Sequence, residues 1–205
     1  MEPKDAIIST AYMPPIKLVQ IVLRHKRVFV EKHETYPKQT YRNRCVIYGA
    51  NGPLPLTIPV IKPNGNRTKT SEVLIDYSVK WRKEHWRALE SAYKSSAFFE
   101  LIRDYFDPFY EKEWKYLWDY NLDIMRVVFG LLNTEVEILE TKEYIKDYPE
   151  NVNDFRNTIT PKKNSIIFEQ KPYFQIFSNK HGFKPNLSVF DLICNCGMDS
   201  YGVLS

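Results

Sequence analysis

The chain has 205 residues, of which 43% are hydrophobic and 26% are charged. These proportions are typical of a globular protein and exclude a disordered chain, and the length suits one domain, which we expect to span residues 1–205. The net charge of +4 is too small for a dense nucleic-acid-binding surface, so nucleic acid is not the expected partner.

The chain has three cysteines, at positions 45, 194 and 196, and their spacing is not that of a disulfide framework. This usage favours a reducing compartment. No apolar run approaches the roughly 20 residues that cross a membrane, and the first residues do not form a signal peptide. We therefore expect a cytoplasmic protein. The cysteines and the four histidines lack metal-ligand spacing, so no metal site is expected.

The first elements are predicted to be a strand, a helix and a second strand. Ala6 to Tyr12 is predicted to be a short strand, Pro14-Pro15 ends it, and Ile16 to Leu23 is apolar enough for a buried helix. Val28 to Val30 is β-branched and aromatic, which favours a strand. This order within so few residues predicts a βαβ unit with parallel strands.

A β-hairpin is predicted next. Cys45 to Tyr48 and Leu54 to Val60 read as strands, and the Gly-Ala-Asn-Gly turn between them is typical of a hairpin. The polar residues 62–70 have no apolar period and predict a mobile loop. Glu72 to Ile75 is predicted to be another short strand.

The middle of the chain is predicted to be helical, and the last third is less regular. Apolar residues recur at helical spacing on three segments, whose predicted inward faces carry Val79, Trp86, Leu89 and Tyr93; Phe98, Leu101, Ile102, Tyr105 and Phe109; and Leu117, Trp118, Leu122, Met125, Val128, Phe129 and Leu132. The later predictions are strands at Val136–Leu139, Ser165–Phe168 and Pro172–Phe177, an irregular stretch at Tyr144–Ser165, and an apolar segment at Leu187–Cys194. The predicted class is α/β, with mixed α+β as the alternative: one mixed sheet, the βαβ unit, the hairpin and central helices.

The strongest polar feature follows the second strand. It is a basic segment of seven residues, Lys38, Gln39, Thr40, Tyr41, Arg42, Asn43 and Arg44. In extended backbone, alternate side chains share a face, which would bring Lys38, Thr40, Arg42 and Arg44 together. Two such guanidiniums can clamp a phosphate or carboxylate. The alternative is a solvated loop whose arginines pair with Glu31 and Glu34.

Four other side chains are candidates for chemistry. His33 follows the second strand beside Glu31, at the strand end where open α/β sheets place ligands. General acid–base catalysis is one interpretation of His33, and a surface histidine without a chemical role is the favoured alternative. His85 shares a helical stripe with Trp81, and packing is the favoured interpretation of that pair. Asp191 lies among apolar residues, where a carboxylate is either paired, for instance with an arginine, or perturbed and functional.

These segments together resemble the WbqC-like family of bacterial proteins. The matching segments, in order, are Tyr12-Met13-Pro14-Pro15, Val28-Phe29-Val30-Glu31, the basic segment, Asn51-Gly52, Leu56-Thr57-Ile58-Pro59-Val60, Trp81, His85-Trp86, Ala92-Tyr93 and Phe183-Lys184-Pro185-Asn186-Leu187-Ser188. Many relatives read His-Gln-Pro-x-Tyr at the end of the first strand, whereas this chain has Ser9-Thr10-Ala11-Tyr12. If that His and Gln have a chemical role in relatives, other residues must perform it in this chain.

The resemblance implies a biosynthetic role in bacterial surface-polysaccharide (O-antigen-type) sugar modification. The expected function is a transferase that moves an acyl or aminoacyl group from an anionic or nucleotide-linked donor. In that hypothesis Lys38, Arg42 and Arg44 hold the charge of the donor, Gln39 and Asn43 orient it, and Glu31, His33 or His85 supplies the base. The alternative is a non-catalytic module that binds a nucleotide, RNA or a partner protein. The sequence indicates neither a cofactor nor an oligomeric state.

Overall fold

The βαβ unit predicted at the N-terminus is present. The computed structural model describes residues 4–162 and 169–205, so the strand predicted at Ser165–Phe168 lies outside the described residues. Strand β1 (Asp5–Ser9) is followed by helix α1 (Ile16–Leu23) and strand β2 (Arg27–Glu31). Strands β1 and β2 pair in parallel, with Ala6 opposite Val28. This pairing confirms the prediction. The unit forms because two β-branched and apolar runs flank a helix that begins behind two prolines.

Two later strands complete a parallel sheet. Strand β7 (Glu137–Glu140) pairs with β2, and strand β8 (Val152–Asp154) pairs with β1, giving the order β7-β2-β1-β8. Strand β8 falls in the stretch that the sequence predicted to be irregular. It has three residues, too few for a pattern, and its pairing with β1 defines it. The strand predicted at Pro172–Phe177 is wrong, because that segment pairs with no strand of the described residues.

The hairpin forms its own two-stranded sheet, separate from the parallel one. It consists of β3 (Arg44–Gly49) and β4 (Gly52–Thr57), which confirms the predicted turn. Strands β5 (Val60–Ile61) and β6 (Leu74–Ile75) pair nearby. The segment between them is not the predicted loose loop. It forms two 3-10 turns, and Thr68 is buried and accepts a backbone hydrogen bond from Tyr36.

The helical region follows the predicted order. The helices are α2 (Trp81–Tyr93), α3 (Phe99–Glu111), α4 (Leu117–Leu131), α5 (Ser178–His181), α6 (Val189–Cys196) and α7 (Ser200–Leu204). Some predicted inward residues are exposed: Val79 by 52%, Leu101 by 69% and Tyr105 by 55%. Helix α3 turns Phe106 inward instead, where its ring packs edge-on against Phe190 of α6. The packing partner therefore decides which stripe is buried.

The two faces of the parallel sheet have different surroundings. Strand alternation puts Ala6, Ile8, Val28 and Val30 on one face, and all four are fully buried in the hydrophobic core. The other face carries, in order along the strands, an ion pair (Asp5 and Arg27), an apolar centre (Ile7 and Phe29) and a polar end (Ser9 and Glu31). The polar end of this face lies where strands β1 and β2 end, and the candidate site is built there.

Candidate active site at the carboxyl edge of the parallel sheet

The four parallel strands end at one edge of the sheet, and each ends on or beside a polar residue. Strand β1 ends at Ser9, β2 at Glu31 and β8 at Asp154, and Thr141 follows β7. Strands β2 and β7 lie on one side of β1, and β8 lies on the other. Open α/β sheets bind ligands at such a carboxyl edge, where the strand order turns. The edge is therefore the candidate site.

A buried carboxylate, Glu31, is at the centre of this edge. It is fully buried and accepts hydrogen bonds from the Arg156 guanidinium (3.2 Å), the Thr141 hydroxyl (3.0 Å) and the backbone N–H of His33 (2.7 Å). Asp154 takes the Nε–H of the same guanidinium at 3.0 Å. A buried carboxylate needs such partners, since an unpaired charge is costly to desolvate. Glu31 is therefore a structural anchor in this arrangement.

Arg156 also fastens the residues 144–148 over the open face of the sheet. Its guanidinium donates to the backbone carbonyls of Ile145 (2.8 Å) and Lys146 (3.0 Å). It lies between two aromatic rings, 5.1 Å from the centroid of Tyr144 and 5.0 Å from that of Tyr148. Such cation–π contacts strengthen when desolvated. One arginine thus joins the sheet edge to the segment that covers it.

A second buried ion pair lies beside the first. Arg42 donates two parallel hydrogen bonds of 2.7 Å to Glu34, and its Nη2 also donates to the Ser9 hydroxyl. Ser9 in turn donates to the backbone carbonyl of Arg156 at 3.0 Å, which links the pairs. Burial raises the pKa of Glu34, although Arg42 opposes the increase. Among the described residues, Nη1 of Arg42 has no hydrogen-bond partner.

A small crevice opens between the ends of β1 and β8. It is lined by Ser9, Thr10, Ala11, Leu18, Tyr41, Arg42, Phe155, Arg156 and Ile159, and its volume of about 10 Å³ suits one water-sized group. The hydroxyl of Thr10 is buried and has no hydrogen-bond partner in the part of the chain that the structure describes. Buried polar atoms are normally satisfied, so this hydroxyl is one of the few side-chain atoms of the described residues with an unused hydrogen-bonding capacity.

The basic segment does not present its alternate residues on one face, and that prediction is wrong. Gln39 has a left-handed backbone (φ +58°), and Thr40, Tyr41 and Arg42 are buried in succession. Lys38 and Gln39 are exposed, the Asn43 amide donates to the Ile58 carbonyl at 2.8 Å, and Arg44 reaches Thr57 at 3.1 Å. Only Arg42 enters the edge network. Its pairing with Glu34 agrees with the alternative interpretation, whereas its burial contradicts the solvated loop which that interpretation assumed.

His33 retains a free ring nitrogen at this edge. Its Nε2 lies 3.1 Å from the backbone carbonyl of Thr141, which can only accept, so Nε2 carries the proton. Nδ1 then keeps its lone pair and has no partner among the residues that the structure describes. Half-buried and next to Glu31, His33 has the geometry of a base that can take a proton.

His85 lies away from the edge, in a cluster of aromatic rings. Its Nδ1 is 3.0 Å from the Tyr12 hydroxyl, which is 2.8 Å from that of Tyr110. Its ring centroid is 5.2 Å from that of Trp81, as the packing interpretation of this pair expected. Burial lowers the pKa of His85 to about 4, although the backbone of Thr57 opposes the decrease. The imidazole is therefore neutral near pH 7.

Asp191 is buried in helix α6 without a basic partner among the described residues. The Tyr173 hydroxyl donates to its Oδ1 at 2.5 Å, and the Gln175 amide lies 3.5 Å away. Burial raises its pKa to about 6, although the hydroxyls of Tyr173 and Tyr93 favour the carboxylate. The raised pKa agrees with the interpretation of a perturbed carboxyl, and a functional role for Asp191 stays a prediction.

Sequence reasoning missed several residues of the edge: Ser9, Thr10, Thr141, Asp154 and Arg156. Thr10 belongs to a predicted strand, and Arg156 lies in a stretch predicted to be irregular. Arg156 and Glu31 are 125 positions apart. The one available signal was the polar character of the residues at the first strand end, where relatives place a His and a Gln.

The fold and the site together define an α/β protein with a buried polar network at the carboxyl edge of a parallel sheet. The chain belongs to the WbqC-like protein family, whose model matches residues 10–161. The match contains Thr10, both buried ion pairs and His33. It confirms the resemblance found from the sequence motifs. Within the described residues, the helices are too short or too polar to cross a membrane.

The chain is also similar to the Uncharacterized protein Rv1507c of Mycobacterium tuberculosis. The two are 33% identical over 110 residues, which cover 54% of this chain and 47% of that protein. The chain thus spans about half the length of this curated relative. No solved structure matches the chain.

Proposed function

We propose that this protein is a transferase of bacterial surface-polysaccharide biosynthesis, which moves an acyl or aminoacyl group from an anionic activated donor to a sugar. Membership of the WbqC-like family supports the pathway, since the family takes its name from such gene clusters. The carboxyl edge of the parallel sheet supports a ligand site there. The donor would be a small anionic or nucleotide-linked molecule.

The observation that carries the proposal is a pair of residues that line one crevice and that each have a polar atom without a partner among the described residues. Nη1 of Arg42 and the Thr10 hydroxyl both lack partners among the described residues, and both residues line the crevice between β1 and β8. The crevice has room for one oxygen atom of an anion. Arg42 is preorganised for that role because Glu34 fixes its orientation. Such a donor stabilises negative charge that develops during transfer.

The transfer needs a base, and His33 is the best placed of the three candidates. A sugar hydroxyl or amine would form the new bond to the acyl carbon, and the bond to the anionic leaving group would break. The proton of the acceptor would pass to Nδ1 of His33. Glu31 is occupied by three hydrogen bonds and His85 lies in the aromatic cluster. Both are therefore less suited to that role.

The exposed and half-buried members of the basic segment keep a proposed role outside the crevice. Lys38 and Arg44 would attract the anionic donor from solvent. Gln39 is exposed and free to orient it, whereas the amide nitrogen of Asn43 is already bonded to Ile58. The proposal places the protein in the cytoplasm, and the unpaired thiols of the chain support a reducing compartment.

The test uses a strain that lacks the gene and is complemented with variants. Thr10→Val removes the unpartnered hydroxyl at constant shape, so folding should be unaffected. His33→Gln removes the free ring nitrogen. Both variants should abolish one modification in the surface glycan measured by mass spectrometry, whereas Thr35→Val, an exposed control, should not. A complete glycan in both variants refutes the proposal, and salt-sensitive oligonucleotide binding would favour the non-catalytic alternative.

A further inference from the structure

The open face of the parallel sheet carries an apolar trough that the candidate site does not use. The trough has a volume of about 310 Å³ and is lined by Asp5, Ile7, Phe29, Glu140, Thr141, Lys142, Glu143, Ile145, Tyr148 and Val152. Its floor is the apolar centre of strands β1 and β2. Its roof is the segment that Arg156 fastens through the carbonyls of Ile145 and Lys146. Ligand pockets have this size and this mainly apolar character.

The charges at the rim of the trough largely cancel. Asp5 is paired with Arg27, and Glu140 is paired with Lys32, both at 2.7 Å. Lys142 and Glu143 are exposed and of opposite sign. A rim without net charge selects neither an anion nor a cation, so recognition depends on the apolar interior. The occupant should therefore be an uncharged hydrocarbon group.

The trough leads to the candidate site. Thr141 lines it and also donates to Glu31, and its carbonyl binds the ring of His33 at 3.1 Å. We propose that the trough binds the unbranched acyl chain of the substrate, with its carbonyl end at the carboxyl edge. This inference rests on the proposed transferase function and selects an acyl group over an aminoacyl group. At the roughly 30 Å³ that a water molecule occupies in the liquid, the trough volume corresponds to about ten groups of that size, which suits a short or medium chain.

Calorimetric titration of the purified protein with straight-chain carboxylates from butanoate to octanoate tests the inference. Each added methylene should tighten binding about fourfold, the ratio that corresponds to about 0.8 kcal/mol per buried methylene. The matching 1-alkanols should give the same increment, because the chain is recognised rather than the head group. Affinity that does not change with chain length overturns the inference.

Two variants locate the binding, and a third is their matched control. Val152→Trp on the edge strand β8 should fill the trough and abolish the dependence on chain length. Ile145→Ser in the roof should weaken the binding of octanoate about fivefold, the ratio that corresponds to about 1 kcal/mol of lost apolar contact. Leu54→Ser, on the distant hairpin, should change nothing, and its residue is as exposed as Ile145 (41% against 39%). Equal losses in all three variants overturn the inference.

The two proposals fail in different experiments. Chain-length-dependent binding together with a complete glycan in the Thr10 and His33 variants would refute the transferase and retain the trough. Loss of the glycan modification without any binding of alkyl chains would retain the transferase and reject the acyl group. If Ile145→Ser does not fold, the chain-length titrations of the wild-type protein and of Val152→Trp still test whether the trough binds the chain.

Discussion

Replacing Asp191 by Asn should stabilise the protein at neutral pH but not in acid. Burial raises the pKa of Asp191 from 3.8 to about 6. Between pH 3.8 and about pH 6, the Asp191 carboxyl is therefore protonated in the folded state and ionised in the unfolded state. The stability that Asp191 contributes is complete below 3.8 and is lost as the pH rises through about 6. The full difference between the two pKa values corresponds to about 3 kcal/mol of unfolding free energy. About 2 kcal/mol of that stability is lost between pH 4 and pH 7.

The assay is urea denaturation of the wild type and Asp191→Asn at pH 4 and at pH 7. The amide keeps the oxygen that accepts from Tyr173 and cannot ionise, so the difference in unfolding free energy should move by about 2 kcal/mol in favour of the variant as the pH rises. Asp104→Asn is the control, because that side chain is 87% exposed. A difference that stays constant between the two pH values would refute the reasoning, since Asp191 would then ionise like an exposed carboxyl.

Three further predictions concern His85, Arg42 and Gly197. His85 has a pKa of about 4, so its stability contribution is complete above 6.5 and falls by about 3 kcal/mol as the pH drops to 4; His85→Gln should flatten the denaturation free energy over that interval. Arg42→Ala leaves Glu34 buried without its partner and should cost about 3–5 kcal/mol in urea denaturation. Gly197→Ala places a methyl group 2.6 Å from the ring of Phe98, on a backbone with φ +54°, and should lower the unfolding free energy by about 2 kcal/mol.

Matched controls from the same chain separate these effects from general damage. His181→Gln replaces a half-buried histidine outside the aromatic cluster and is the matched control for His85→Gln. The double variant Glu34→Leu with Arg42→Met removes both charges and should recover most of the lost stability. Gly202→Ala has open space around its new methyl group and should be neutral. Similar behaviour of a variant and its control would contradict the corresponding explanation.

Local patterns in the sequence determined the first half of the fold. The run Ile16–Leu23 behind two prolines specifies α1 and the β-branched residues beside it specify β2, because both signals lie within a single element. The Gly-Ala-Asn-Gly turn fixes the hairpin in the same way. The sequence also placed polar residues at the strand end after β2, where Glu31 and His33 now belong to the candidate site. These features depend only on neighbours along the chain.

Tertiary structure alone decided which polar groups meet. Arg42 could have faced solvent, and its inward position exists because the buried carboxylate of Glu34 and the half-buried hydroxyl of Ser9 accept its hydrogen bonds. Arg156 reaches Glu31 only because three residues at Val152–Asp154 add a strand to β1, and so short a strand has no pattern of its own. Desolvation and pairing are set by contacts between distant segments, whereas sequence periodicity records only which face of a single element is apolar.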